Sequence, residues 1–97
     1  MMRFIAALSE EEVASVIDAM REVALDGLVR SRHLRGDVYE VRADAPTRSF
    51  RILFAAEGHF GQILLALSAF EKRTQRTPPR EIALAEERLR DWRRRGR

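Results

Sequence analysis

The sequence predicts a small α+β domain: an N-terminal helix or helix pair, a three- to four-stranded antiparallel sheet and a C-terminal helix. Two observations carry that expectation. Apolar residues recur at helical spacing from Val13 to Ala24, switch to the two-residue period of strands between Val38 and Phe70, and return to helical spacing from Pro79. The strand-like runs are joined by short, turn-rich links, which suit antiparallel neighbours rather than crossover connections. With 97 residues the chain is expected to form one domain, residues 1–97, around one core.

Ser9 followed by Glu12 has the spacing of a capping box. Val13, Val16, Ile17, Met20, Val23 and Ala24 then make one apolar stripe, so a helix is expected from Ser9 to Leu25 with Gly27 ending it. Ahead of it, Arg3–Leu8 ("RFIAAL") reads as a short helix or as a strand remnant. After a basic connector, "LVRSRHLRG", come three strands: Val38–Ala43 ("VYEVRA"), Phe50–Ala56 ("FRILFAA") and Gln62–Phe70, separated by "DAPTRS" and "EGHFG". From Pro79, Ile82, Ala85, Leu89 and Trp92 form a narrow helical stripe, and Pro78 and Pro79 suit its start. Beyond Trp92, "RRRGR" reads as a frayed tail. Both helices are expected against one face of the sheet.

Hydrophobic residues at 45% and charged residues at 34% are an ordinary balance for a folded chain rather than a disordered one. Cysteine is absent, and the two histidines are too far apart for ligand spacing, so neither a disulfide framework nor a built-in metal site or cofactor is expected. The run Ile63–Phe70 ("ILLALSAF") is far shorter than the roughly 18 residues of a membrane span. The start, "MMRFIAALSEEE", has no cleavage-site pattern, so the protein is expected to be cytoplasmic and free of membranes. Lys72 is the sole lysine among 18 cationic residues. Charge is unevenly spread: residues 1–29 carry two arginines against six acids, net −4, whereas residues 71–97 carry ten cations against five acids, net +5. A polyanion would be drawn to the second region.

In "SFRILFA", alternation places Arg51 opposite Phe50, Ile52 and Phe54 in a strongly apolar strand, where an arginine is costly unless paired. It is either a structural ion pair with Glu40 or Asp37, or a phosphate anchor gripping two oxygens with its planar guanidinium. Arg42 shares a strand face with Glu40 and Val38, and Glu40 is either the partner of Arg51 or a general base. The stretch "FEKRTQRTPPREI" gathers Lys72, Arg73, Arg76 and Arg80 before and into the last helix, whose N-terminal amides add positive potential. Such a run is either a solvated surface or an anion site. Tyr39, Phe60, Phe70 and Trp92 are the aromatics available for base stacking, with core packing as their alternative. His33 and His59 could titrate near neutrality.

In order and spacing, "LRGDVYEVRA", "FRILFA" and "FEKRTQRTPPREIALAEERL" resemble the HigB-like branch of the RelE/ParE superfamily of bacterial toxin–antitoxin toxins, over roughly residues 28–90. The last motif is the most specific: Lys72, Thr74, Gln75, Thr77, Pro78, Glu81, Ile82 and Ala85 all fall in place. The resemblance implies a RelE-like fold and metal-free cleavage of messenger RNA on the translating ribosome. It also implies a cognate helix-turn-helix antitoxin as partner, and assembly as a dimer or a toxin–antitoxin heterotetramer. Carried over residue by residue, it makes Arg42, Arg51, Lys72 and Arg73 the catalytic candidates, with His33, Arg35, Arg76 and Arg80 as further RNA-binding candidates. In such cleavage the RNA 2′-hydroxyl attacks its own phosphate; cations stabilise the phosphorane and two protons must move. Lys72, His33 and Glu40 are the acid–base candidates.

Three departures stand out. Ser68 occupies a position where many relatives have histidine, Arg73 replaces the commoner second lysine, and relatives usually carry an extra N-terminal strand ahead of "RFIAAL". That last departure implies a sheet edge for an antitoxin or a second copy to cover, or a weakened toxin. Two other readings stay open: a toxin of the same fold that blocks a protein such as DNA gyrase, and a non-catalytic basic nucleic-acid-binding module.

Overall fold

The computed structural model describes residues 8–46, 48–57, 63–72 and 76–95. Expectations about Arg3–Ala7, His59, Phe60, Arg73, Thr74 and Gln75 fall outside them.

Helix α1, Glu10–Asp26, starts as its capping box requires. The Ser9 hydroxyl accepts from the Glu12 amide at 3.2 Å, and the Ser9 amide donates to Glu12 Oε1 at 2.9 Å. Gly27 ends the helix at φ +79°, donating its amide to the Val23 carbonyl, a conformation that favours glycine. A 3-10 turn, Gly27–Arg30, follows.

Four antiparallel strands form one sheet in sequence order: β1 (Arg32–Arg35), β2 (Val38–Asp44), β3 (Ser49–Glu57) and β4 (Ile63–Glu71). Strand β1 lies within the stretch expected to be a basic connector, and Gly36 at φ +56° turns it into β2. The β1–β2 pairing is irregular between His33 and Arg35, which sets Arg32 opposite Glu40. A second irregularity sets Leu53 opposite Ser68 but Phe54 opposite Ala66, leaving Leu67 as an extra residue in β4. The carbonyl of Leu67 is met by Arg88 Nη1 at 2.7 Å.

The helices lie on opposite faces of the sheet, not on one as expected. On one side Val16, Ala19 and Val23 of α1 pack against Val41, Ala43, Phe50, Ile52 and Phe54. On the other, Ala85 and Leu89 of helix α2, Pro79–Arg94, pack against Val38, Leu53, Ala55 and Leu67. The physical reason lies in β3, where both alternating sets of side chains are apolar, so each face needs a cover. Helix α2 continues through Arg94, past the fraying expected after Trp92, because Arg93 donates to both oxygens of Glu57 at 3.0 and 2.7 Å and to Asp37 at 3.0 Å. The hydrogen bonds to Glu57 and then to Asp37, with the negative charge of both, raise the Arg93 pKa above its ordinary value. No helix among the described residues is long and apolar enough to cross a membrane.

Candidate active site

Arg51 stands near the start of β3 on the α2 side of the sheet, with only 5% of its surface exposed. The pairing that the sequence demanded is present. Arg51 Nη1 donates to Thr77 Oγ1 at 3.0 Å and lies 3.7 Å from Glu40 Oε2. Thr77 in turn donates its hydroxyl proton to Glu40 Oε2. Arg32 Nη2 completes the group at 3.0 Å from Glu40 Oε1 and 3.3 Å from Thr77 Oγ1. One hydroxyl therefore gives one hydrogen bond and receives two, its full capacity, and both oxygens of Glu40 are engaged. Of the two partners open to Arg51, Glu40 is the one it meets; Asp37 is held by Arg93.

The same guanidinium reaches a cleft of about 440 Å³ between the end of β4, the start of α2 and the segment that joins them. Its lining includes Arg51, Lys72, Arg76 and Arg80, together with Phe70, Glu71, Pro78 and Glu81. Local structure explains the convergence. Phe70 is the cross-strand partner of Arg51, so the end of β4 lies directly beside it. The Lys72 amide donates to the Ser49 carbonyl at 2.8 Å, fixing the chain where it leaves the sheet. Thr77, buried under Arg51, ties the far end of the segment back to β3. Pro79 and Arg80 then open α2, which places Arg80 and Glu81 of its first turn on the lining of the cleft. Four cations against two carboxylates give the lining a formal net charge of +2.

The remaining candidates divide. Arg42 is directly across from Arg51 in the β2–β3 register and on the same face, exposed, with its Nε 3.4 Å from Asp44. It borders the cleft rather than lining it. His33 is on the other face: it pairs with Tyr39, its ring centroid is 5.0 Å from the Tyr39 ring, and its Nε2 lies 2.6 Å from the Gly36 carbonyl oxygen. Arg35 is bound to Glu86 of α2 through two nitrogens at 2.6 and 3.2 Å, which raises the arginine pKa and lowers that of Glu86. It clamps β1 to α2 and is absent from the lining of the cleft.

Arg32 and Thr77 were not singled out as site residues from the sequence, and both help to hold Arg51. Thr77 carried a signal, as part of the motif ending in Thr-Pro-Pro. Arg32 carried none. A regular hairpin counted back from the Gly36–Asp37 turn would pair it with Val41 and send its side chain to the α1 face. The irregularity in β1 returns it to the face of Glu40. Phe70, one of the aromatics available for stacking, both packs beside Leu53 and Leu67 and lines the cleft. Trp92 lies half-buried, with Leu65, Ala66 and Leu67, in a second, shallower concavity on the β4 side. Among the described residues, no three His, Cys, Asp or Glu side chains gather as a metal ligand set.

Comparison with known proteins adds a family. The model of the family described as "Phage derived protein Gp49-like" matches residues 3–90. Two curated relatives from Mycobacterium tuberculosis, strains CDC 1551 / Oshkosh and ATCC 25618 / H37Rv, are each named "Probable endoribonuclease HigB1". Each is 33% identical over 89 residues, covering 90% of this chain and 69% of the relative.

Proposed function

We propose, for a chain that belongs to the phage-derived Gp49-like family and is a HigB-like toxin, that it cleaves messenger RNA on the translating ribosome and so arrests translation. The observation that carries this reading is the convergence of Arg51, Lys72, Arg76 and Arg80 on one cleft. A toxin that only blocked a protein would have no need of so dense a phosphate site. The curated relatives named as probable endoribonucleases point to the same chemistry.

The residue types fit a reaction in which the RNA supplies its own nucleophile. Attack of the 2′-hydroxyl on the adjacent phosphorus creates a crowded phosphorane with more negative charge than the ground state. Arg51, held in place from behind by Thr77 and Glu40, is preorganised to meet that charge. Removing one such fixed donor typically costs about 10²- to 10³-fold in rate. Lys72, Arg76 and Arg80 draw the backbone in. Lys72 and Arg80 form no ion pair among the described residues, so their charge is directed at solvent and ligand. Arg42, on the same face, adds to the cationic surface in this reading, and Arg73, next to Lys72 in sequence, is proposed to act with it. A cognate antitoxin of the helix-turn-helix kind is the expected partner, with toxin and antitoxin assembling as a dimer or heterotetramer.

The test is primer extension on a defined mRNA in a reconstituted translation reaction, with and without ribosomes, comparing the wild type with Lys72→Ala. New 5′ ends that require ribosomes and fall by more than about 10²-fold in the variant are the expected result. Intact mRNA with the wild type would overturn the reading, and inhibition of DNA gyrase supercoiling would then be measured.

A further inference from the structure

Three carboxylates approach the phosphate-binding region, Glu40 and Glu81 from the α2 side of the sheet and Glu71 from the end of β4, and two of them are committed to cations. Glu40 is held by Arg32 and Arg51, and Glu71 lies 3.4 Å from Arg48. Glu81 differs. It lines the cleft, yet it forms no ion pair among the described residues. Its single hydrogen bond there is accepted by Oε1 from the hydroxyl of Ser68 at 2.8 Å, so among the described residues Oε2 has no partner. Ser68 is only 3% exposed, so its hydroxyl is a fixed anchor beneath the carboxylate rather than a passing surface contact.

A carboxylate in a cleft for polyanions works against binding, because it repels the phosphate that the cations attract. Glu81 gains something from the helix dipole as the acidic residue of the first turn of α2, but an outward-facing position in that turn would give the same benefit. Neither ion pairing nor capping among the described residues therefore accounts for an oriented carboxylate on the lining of the cleft.

Resting on the endoribonuclease reading above, we propose that Glu81 is the general base of the reaction: it touches the RNA and takes the proton of the attacking 2′-hydroxyl. The step balances without a co-reactant. Glu81 Oε2 accepts the 2′-hydroxyl proton, the 2′-oxygen forms its bond to phosphorus, and the bond from phosphorus to the 5′-oxygen breaks. The Lys72 ammonium gives a proton to the departing 5′-oxygen. The products are a 2′,3′-cyclic phosphate and a 5′-hydroxyl, and the protons on Glu81 and Lys72 re-equilibrate with water. Ser68 is a positioning residue that holds the carboxylate from the side away from substrate.

The experiment uses Glu81→Gln, which keeps the side-chain length and an oxygen for the Ser68 hydroxyl, beside Ser68→Ala and the wild type. Single-turnover cleavage is measured in the reconstituted translation reaction. Affinity is measured separately with an RNA carrying a 2′-deoxy sugar at the cleaved position, which cannot react. Glu81→Gln is expected to slow cleavage by about 10²- to 10⁴-fold, the usual worth of proton transfer. Its affinity for the deoxy RNA should be equal or tighter, since a negative charge is gone. Ser68→Ala is expected to slow cleavage by about tenfold, the equivalent of one ordinary hydrogen bond. Cleavage by Glu81→Gln within about threefold of a wild type that does cleave would overturn the role of Glu81 alone; so would a loss matched by an equal loss of affinity, which marks a structural part. A wild type that leaves the RNA intact would sink the endoribonuclease reading and this assignment with it.

Discussion

Arg51→Met is the perturbation that most sharply tests the site, because it removes the guanidinium while keeping most of the apolar stem. The variant loses the 3.0 Å hydrogen bond to Thr77 and the 3.7 Å ion pair with Glu40. Stripping a buried carboxylate of its partner typically costs about 3–5 kcal/mol. Glu40 is not stripped, since Arg32 remains at 3.0 Å and Thr77 still donates to it. What is lost approaches one hydrogen bond to a charged group, about 1.5–3 kcal/mol, so a destabilisation of about 2 kcal/mol is expected. In a domain of this size that lowers the thermal midpoint by roughly 8–16 °C. Urea unfolding followed by circular dichroism is the assay: the midpoint should fall while the slope stays constant. The folded variant, held well below its midpoint, should also cleave RNA at least about 10²-fold more slowly. A stability change under about 0.5 kcal/mol would refute the structural half of the reasoning. Undiminished cleavage in a destabilised variant would refute the catalytic half.

Two further outcomes follow from the same contacts. Glu12 is held at a pKa of about 2, chiefly by Arg48, which donates to both of its oxygens at 2.7 and 2.8 Å, and next by the Ser9 amide. A carboxylate depressed in the folded state binds its proton more readily in the unfolded chain, so its stabilisation is fully present above about pH 4.5 and is lost as pH falls toward about 2. Urea midpoints between pH 2 and 5 should fall more steeply for the wild type than for Glu12→Gln, and equal slopes would contradict the pairing. Thr77→Val removes the hydroxyl shared by Arg51, Arg32 and Glu40, so it should cost about 1–3 kcal/mol as buried groups lose a partner. The same urea titration measures it, and a neutral result would mean that the three side chains do not depend on the hydroxyl.

Much of the fold was legible because local and tertiary signals agreed. The Ser9–Glu12 box and the stripe through Val16 and Val23 mark α1 within one residue at either end, and strands β2, β3 and β4 fall within a residue of the expected runs. Strand β1 was hidden because "RHLR" offers no apolar alternation: three of its four residues are exposed, and it is held by pairing to β2 and by the Arg35–Glu86 bridge. The placement of the helices was misread although "FRILFAA" held the clue, since a strand apolar on both faces cannot leave one to water. At the site, the need of Arg51 for a partner was plain from its neighbours, and so was the choice of Glu40 or Asp37. The placement of His33 on the opposite face from Arg51 was not, because a side chain changes face with every one-residue shift in register, and the irregularity beside His33 has no mark in the sequence.

The burial of Arg51 separates two duties that a row of surface cations would combine. With Glu40 beside it, the pair adds little net charge, so Arg51 contributes little to long-range attraction of RNA. What it supplies is a guanidinium already desolvated and fixed in direction, whose ordering cost is met on folding rather than at each encounter. In the proposed reading, attraction falls instead to the exposed cations Arg76 and Arg80 and to Lys72, all three on the lining of the cleft. The two duties leave different signatures. Loss of an attracting cation weakens binding to unreactive RNA and reduces the salt slope by about 0.7 for a single strand, in keeping with one released counterion. Loss of Arg51 leaves that slope nearly unchanged and appears in the rate, which is what distinguishes a group built for the transition state from one built for capture.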